Sequence, residues 1–149
     1  MSKKRILTDD EKKKIQEAKK ELNEYRDDIK YIEGRLEDTE DIKAKIEKVT
    51  TIISPTKTNS SNESTDKFAD ALSKLEELKI DCTEKMKNLL IKKFEIDDKI
   101  EKLEQPYRNI LFYRYTKGLE WNDVAKVLGY TREYICELHG EALYLYSKI

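Results

Sequence analysis

The sequence predicts an all-α chain, a long antiparallel helical hairpin or coiled coil followed by a compact three-helix C-terminal block. Three observations carry this. Charged residues make up 41% of the 149 positions, with only four Gly and two Pro to interrupt them, a composition that suits solvated helices better than a sheet core. Two long stretches repeat apolar residues at alternating spacings of three and four. After Pro106 that rhythm stops, and short elements separated by glycine take over.

Thr8-Asp9-Asp10-Glu11 opens the first helix as a capping box, in which the Thr8 hydroxyl and the Glu11 carboxylate each accept from the other's backbone N–H. Ile15, Ala18, Leu22, Tyr25, Ile29, Ile32 and Leu36 then form a seam at heptad spacing. Gly34 lies inside it and weakens the helix by about 1 kcal/mol relative to Ala. The seam loses phase near Glu37-Asp38-Thr39-Glu40 and resumes at Ile42, Ile46 and Val49, which predicts a stutter or bend. The Ser-, Thr- and Asn-rich stretch SPTKTNSSNEST can bury no face and reads as a flexible linker at about 50–65.

The second helix is expected to start near Asp66, capped by Ser64 or Thr65. Its seam is Phe68, Leu72, Leu75, Lys79, Cys82, Met86, Leu89, Lys93, Ile96, Ile100 and Leu103. Matched seams joined by a loop favour an antiparallel hairpin over residues 1–105, with a self-associated bundle of two hairpins as the rival. These seams are packing surfaces and imply no cofactor. Pro106 suits the first turn of a third helix, PYRNILFYRYTK, which Gly118 ends, with Arg108 and Arg114 on its polar side.

Bulk properties narrow the function classes. A net charge of −1 makes the chain no general magnet for nucleic acid or membranes. No apolar run approaches the roughly 18–20 residues of a spanning helix, and MSKKRILTDDEKKK has no secretory h-region. Cys82 and Cys136 have no metal spacing and fit a reducing cytoplasm. Cys136 and His139 share a helical face, but two ligands make no zinc site, so no metal or cofactor is expected. His139 is otherwise an ordinary side chain. An enzyme is not expected, since no phosphate loop or nucleophile–base pair stands out.

The block WNDVAKVLGYTREYICELH, Trp121 to His139, carries the functional reading. Counting Trp121 as the first position puts Ala125 fifth, where two helices cross and a larger side chain forces them apart. Gly129 is ninth, where the turn needs positive φ. Val124, Leu128 and Tyr130 are placed toward a small core, as are Ile135 and Leu138 of the second helix, and Thr131 is its N-cap. Residues 106–149 therefore read as a helix-turn-helix module with a recognition helix over 132–147. Thr131, Arg132, Glu133, Cys136 and Glu137 face outward at the end that enters a major groove, with Tyr134 at the margin. Arg132 suits guanine O6/N7 or a phosphate, and Glu133 and Glu137 suit cytosine N4. Lys126, Arg108 and Arg114 are candidates for the DNA backbone. For each of these residues the plain alternative is a solvated side chain.

GLEWNDVAKVLGYTREYICELHGEAL resembles the region-4 helix-turn-helix of bacterial sigma factors, through Thr131-Arg132-Glu133, Ile135 and Ala142-Leu143. The specific part covers about residues 99–147. Over its whole length the chain resembles phage-encoded late-transcription activators of the RinA and ArpU type. The resemblance implies sequence-specific binding to double-stranded DNA in regulating phage genes in the bacterial cytoplasm, and contact with RNA polymerase. Tyr134 and Cys136 stand where sigma factors usually carry Arg. Residues 106–149 hold six Lys/Arg against five Asp/Glu. Weak binding by a single module follows, with homo-oligomerisation through the coiled helices as the route to higher affinity. Lys3-Lys4-Arg5 and Lys12-Lys13-Lys14 offer further backbone contacts, with a frayed tail as the equal alternative. A small-terminase-like packaging protein and a coiled-coil interaction scaffold are the alternative readings.

Overall fold

The computed structural model describes residues 5–52 and 62–149, and every element among them is helical. α1 (Asp9–Ile52), α2 (Asn62–Glu101), α3 (Tyr107–Leu111), a π-helical turn (Phe112–Thr116), α4 (Trp121–Leu128) and α5 (Arg132–Ser147) follow in that order. No described helix is long and apolar enough to cross a membrane.

The start of α1 is closed as its sequence dictates. The Thr8 N–H donates to Glu11 Oε2 at 2.9 Å, and the Glu11 N–H donates to Thr8 Oγ1 at 3.2 Å. Asp9, Asp10 and Glu11 lay negative charge on the positive end of the helix dipole. Near residues 37–40, where the seam loses phase, α1 continues as one helix without termination. Thr39 occupies the seam position itself and is 2% exposed. Its hydroxyl donates to the Arg35 carbonyl at 2.8 Å, so a polar side chain keeps the register without leaving a buried donor unpaired. The second helix begins earlier than the sequence suggests, at Asn62, which puts Ser64 and Thr65 inside it rather than at its cap. Of the linker expected at about 50–65, residues 53–61 lie outside the described residues, and the flanking positions on either side are helical.

The packing divides the chain into two units, 1–29 with 89–149 and 30–88. In the second of these, α1 contributes the buried Ile32 and Thr39 and α2 the buried Leu75 and Cys82. Leu72, placed in the seam by its spacing, is 37% exposed. Exposed helical pairs such as Lys85–Asp81 at 2.9 Å decorate this unit, each worth a few tenths of a kcal/mol.

The other unit joins the start of α1, the end of α2 and everything from α3 onward. Ala18, Leu22 and Tyr25 meet Ile96, Ile100 and Leu103 in one core with Leu111, Tyr115, Ala142, Leu143 and Tyr146. Glu21 bridges to Lys92 and Lys99 of α2, so the early part of α1 lies along the late part of α2, the pairing an antiparallel arrangement demands. A second, smaller core holds Ile110, Val124, Ala125 and Ile135. The sequence pattern changes at residue 105, but the packing does not, since α3, the π-helical turn and α5 share the larger core with both long helices. Burying each large apolar side chain of that core contributes about 1.5–3 kcal/mol, which outweighs any single surface ion pair.

The third helix expected over 106–117 is α-helical only to Leu111. Phe112–Thr116 then widen into a π turn, with the Lys117 N–H donating to the Phe112 carbonyl at 2.9 Å. Tyr115 is buried in the large core and Tyr113 packs on the small one, because residues two apart on a helix face nearly opposite ways. Gly118 at φ 70° ends the element, in the left-handed region that glycine reaches without strain.

Candidate nucleic-acid interface

α4 and α5 form a helix-turn-helix whose corner follows from two residues. Gly129 has φ 72° and ψ 30°, and its N–H and that of Tyr130 both donate to the Ala125 carbonyl, closing α4. Thr131 turns the chain back with an extended φ of −72° and ψ of 154°, and its hydroxyl accepts from the Tyr134 N–H at 3.2 Å. Val124 and Ile135, both at 0% exposure, clamp α4 to α5 over Ile110, with Ala125 small enough to let the helices cross.

With Ile135 facing inward, the leading turns of α5 point outward. Thr131, Arg132, Glu133, Tyr134, Cys136 and Glu137 are all exposed, as is Lys126 on α4. Arg132 makes no hydrogen bond or ion pair among the described residues, so its guanidinium is available to a partner. Tyr130 is not in the core where its spacing put it. It is 41% exposed, and its ring meets that of the 45% exposed Tyr134 edge-on at 5.2 Å. With Val127, 53% exposed, they form an apolar margin beside the tip.

Two of the backbone-contact candidates are placed differently from the rest. The Arg108 side chain is exposed, but its Nε donates to the Leu103 carbonyl at 2.9 Å, closing the end of α2. Arg114 is not on a solvated face. Its Nη1 donates to the Leu119 carbonyl at 2.9 Å and lies 3.5 Å from Glu120 Oε2, and the guanidinium stacks 4.4 Å from the centre of the Trp121 ring. The side chain is 13% exposed. Burial, then the neighbouring Arg26 charge, lowers its pKa. Arg114 therefore builds the entry to α4 and is withdrawn from phosphate contact. Position 114 follows the buried Ile110 and Leu111 by four and three residues, the spacing that shares a helix face, so it is carried inward with them.

Arg26 is the residue that sequence reasoning missed. From α1 its Nη2 donates to the Gly118 carbonyl at 3.2 Å and to Glu120 Oε1 at 2.8 Å. Glu120 heads α4 and so holds a guanidinium on each oxygen. Nothing in the spacing marks Arg26, which follows the seam residue Tyr25 and reads as an ordinary flanking charge.

His139 is likewise more than an ordinary side chain. Its Nε2 shares a 2.7 Å hydrogen bond with the Tyr115 hydroxyl, and its ring lies edge-on to Trp121 at 4.5 Å. Burial pushes its pKa down to about 4, helped by the positive charges of Lys19 and Arg114. Burial also pushes Tyr115 up to about 12, so the phenol keeps its proton and can donate it to a neutral imidazole. Cys136 and Cys82 are free thiols, and no group of His, Cys, Asp and Glu among the described residues is arranged to hold a metal ion.

The far half of α5 is fastened to the start of α1. Arg5 bridges to Glu141 at 3.2 Å and stacks 4.2 Å from the centre of the Tyr144 ring, while Lys148 bridges to Glu11 at 2.8 Å. The Lys148 contact and the Thr8 N–H hold the Glu11 carboxyl down to about 2. Arg5 is thus engaged by α5, Lys12, Lys13 and Lys14 are exposed on the first turns of α1, and Lys3 and Lys4 lie outside the described residues. The chain matches no family model, no curated protein and no solved structure.

Proposed function

We propose that the chain is a sequence-specific DNA-binding transcriptional regulator, with the leading turns of α5 lying in the major groove. The observation that carries this is the outward tip of a capped helix-turn-helix, where Thr131, Arg132, Glu133 and Glu137 are exposed beyond an αL glycine corner. In this reading Arg132 bonds a guanine edge, Glu133 and Glu137 accept from cytosine N4, and Thr131 holds the flanking phosphate. Tyr134 and Cys136 pack on the groove wall, and Lys126 meets the backbone. The sigma-like motif is the basis for assigning the role to phage gene expression in a bacterial cytoplasm, with RNA polymerase as a further partner.

Charge sets the strength of the interaction. On the tip Lys126 and Arg132 face Glu133 and Glu137, so few phosphates are neutralised. The slope of log K against log salt should be shallow, about −2 to −3, where a module with 6–10 phosphate contacts gives far more. Selection of bound duplexes from a random pool at low salt tests the reading. An enriched motif is expected, and Arg132→Ala should cost about 1–3 kcal/mol, roughly 5- to 150-fold, with relaxed preference at one base pair. No enrichment, with or without polymerase, would overturn it. The apolar margin of Val127, Tyr130 and Tyr134 favours one second reading, in which the same face docks on protein. Under that reading Tyr134→Ala would abolish partner binding and Arg132→Ala would leave DNA association unchanged.

A further inference from the structure

The seam residues of α2 are used inside the chain, yet the helix carries a second stripe on its outer side. Ile91 and Phe94 are 61% and 59% exposed, and Leu90 beside them is 49% exposed. Ile96, Ile100 and Leu103, at most 5% exposed, occupy the opposite side. At spacings of three and four the outer stripe reads Glu84, Lys87, Ile91, Phe94, Asp98, and then Lys102 in the turn that closes the helix. All six are exposed.

The order of charges in this stripe is the informative feature. Read backwards it is Lys, Asp, Phe, Ile, Lys, Glu. A copy laid antiparallel, with the two-fold axis between Ile91 and Phe94, sets Ile91 on Phe94, Lys87 on Asp98 and Glu84 on Lys102. Each pairing occurs twice, as an isologous contact requires. A parallel copy would set each charge beside its own kind. The stripe offers no uniform sign to a phosphate backbone or an anionic membrane. Lys87 already meets Glu84 within its own chain at 3.3 Å, but an exposed pair of this kind is worth little and is readily exchanged.

We propose that α2 pairs antiparallel with α2 of a second copy of this chain, through Ile91 and Phe94 at the centre and Lys87–Asp98 on either side. This does not depend on what α5 binds. The apolar centre supplies the attraction, and the flanking charges fix direction and register, as they do between paired helices generally.

Light scattering and sedimentation of the full chain over a concentration series test it, and a mass of twice 17.7 kDa is expected. Lys87→Glu and Asp98→Lys each create two like-charge contacts across the axis. Each alone should weaken the dimer at least tenfold, with helix content by circular dichroism unchanged. Mixed together, the two variants should form a heterodimer. The carboxylate introduced at position 87 of one copy then faces the ammonium introduced at position 98 of the other, and the two unaltered groups, Asp98 and Lys87, still face each other. Phe94→Glu should give monomer in every mixture. A wild-type monomer at all concentrations, a larger closed ring, a dimer insensitive to both charge reversals, or variants that fail to reassociate on mixing would each overturn the proposal.

Discussion

At His139 the imidazole has lost much of its water, and the acid stability of the C-terminal core follows from that. In the unfolded chain this group takes a proton near its ordinary value of 6.5, but in the folded core only near 4. The unfolded state therefore binds more protons between those values, and stability falls as pH drops from about 6.5 through 4, by about 3 kcal/mol in all. Urea unfolding at pH 7 and pH 4.5 measures this, and His139→Gln should flatten the dependence in that window. Glu11 acts in a lower range, since its stabilising ionised form is lost only as pH falls toward about 2. Residue identity alone did not reveal the His139 role. Tyr115, its hydrogen-bond partner, is 24 positions away in another element, a separation that no local pattern bridges.

At the scale of elements, the helix-turn-helix was the most legible part, because its constraints are local. A small residue at the crossing, a glycine at the corner and a threonine at the cap each answer to the backbone within a few positions. Gly129→Ala tests the corner. A Cβ there meets nothing within 4 Å, so the cost comes from the φ of 72° alone, about 1–2 kcal/mol by thermal unfolding. Thr131→Ala should cost about 1 kcal/mol through the lost cap. Tyr130 was misjudged because the turn points its side chain toward Tyr134, a partner that spacing from Trp121 does not weigh. The long helices were legible through their seams, save where a polar residue held the register. Thr39 did not read as a seam residue because its hydroxyl bonds its own helix, an exchange that hydropathy does not see.

For the molecule as a whole, the sequence pattern and the packing disagree about boundaries, and the disagreement has a physical cause. A heptad seam shows which face is buried but not what covers it. Here Ala18, Leu22, Ile96 and Ile100 are covered partly by Ala142, Leu143 and Tyr146 of α5. Residues 106–149 prepared alone should therefore lack a cooperative thermal transition, since one of their two cores has lost half its walls. Amide hydrogen exchange on the fragment checks this, with strong protection at Ile135 and Leu143 as the contrary result. Arg26→Met in the full chain should loosen the same connection by about 2–3 kcal/mol, through the lost charge-assisted bonds to Gly118 and Glu120.

The contact between Glu21 and the Tyr146 hydroxyl joins positions 125 apart in the chain. A ribosome adds about 5–20 residues each second, so the opening helix waits on the order of ten seconds for its last neighbour to be made. Throughout that interval Leu22 and Tyr25 are without the α5 part of their covering. A nascent chain stalled short of Ala142 should thus be open to protease at its beginning, and release of the remaining residues should close that vulnerability at the opposite end from where synthesis stopped.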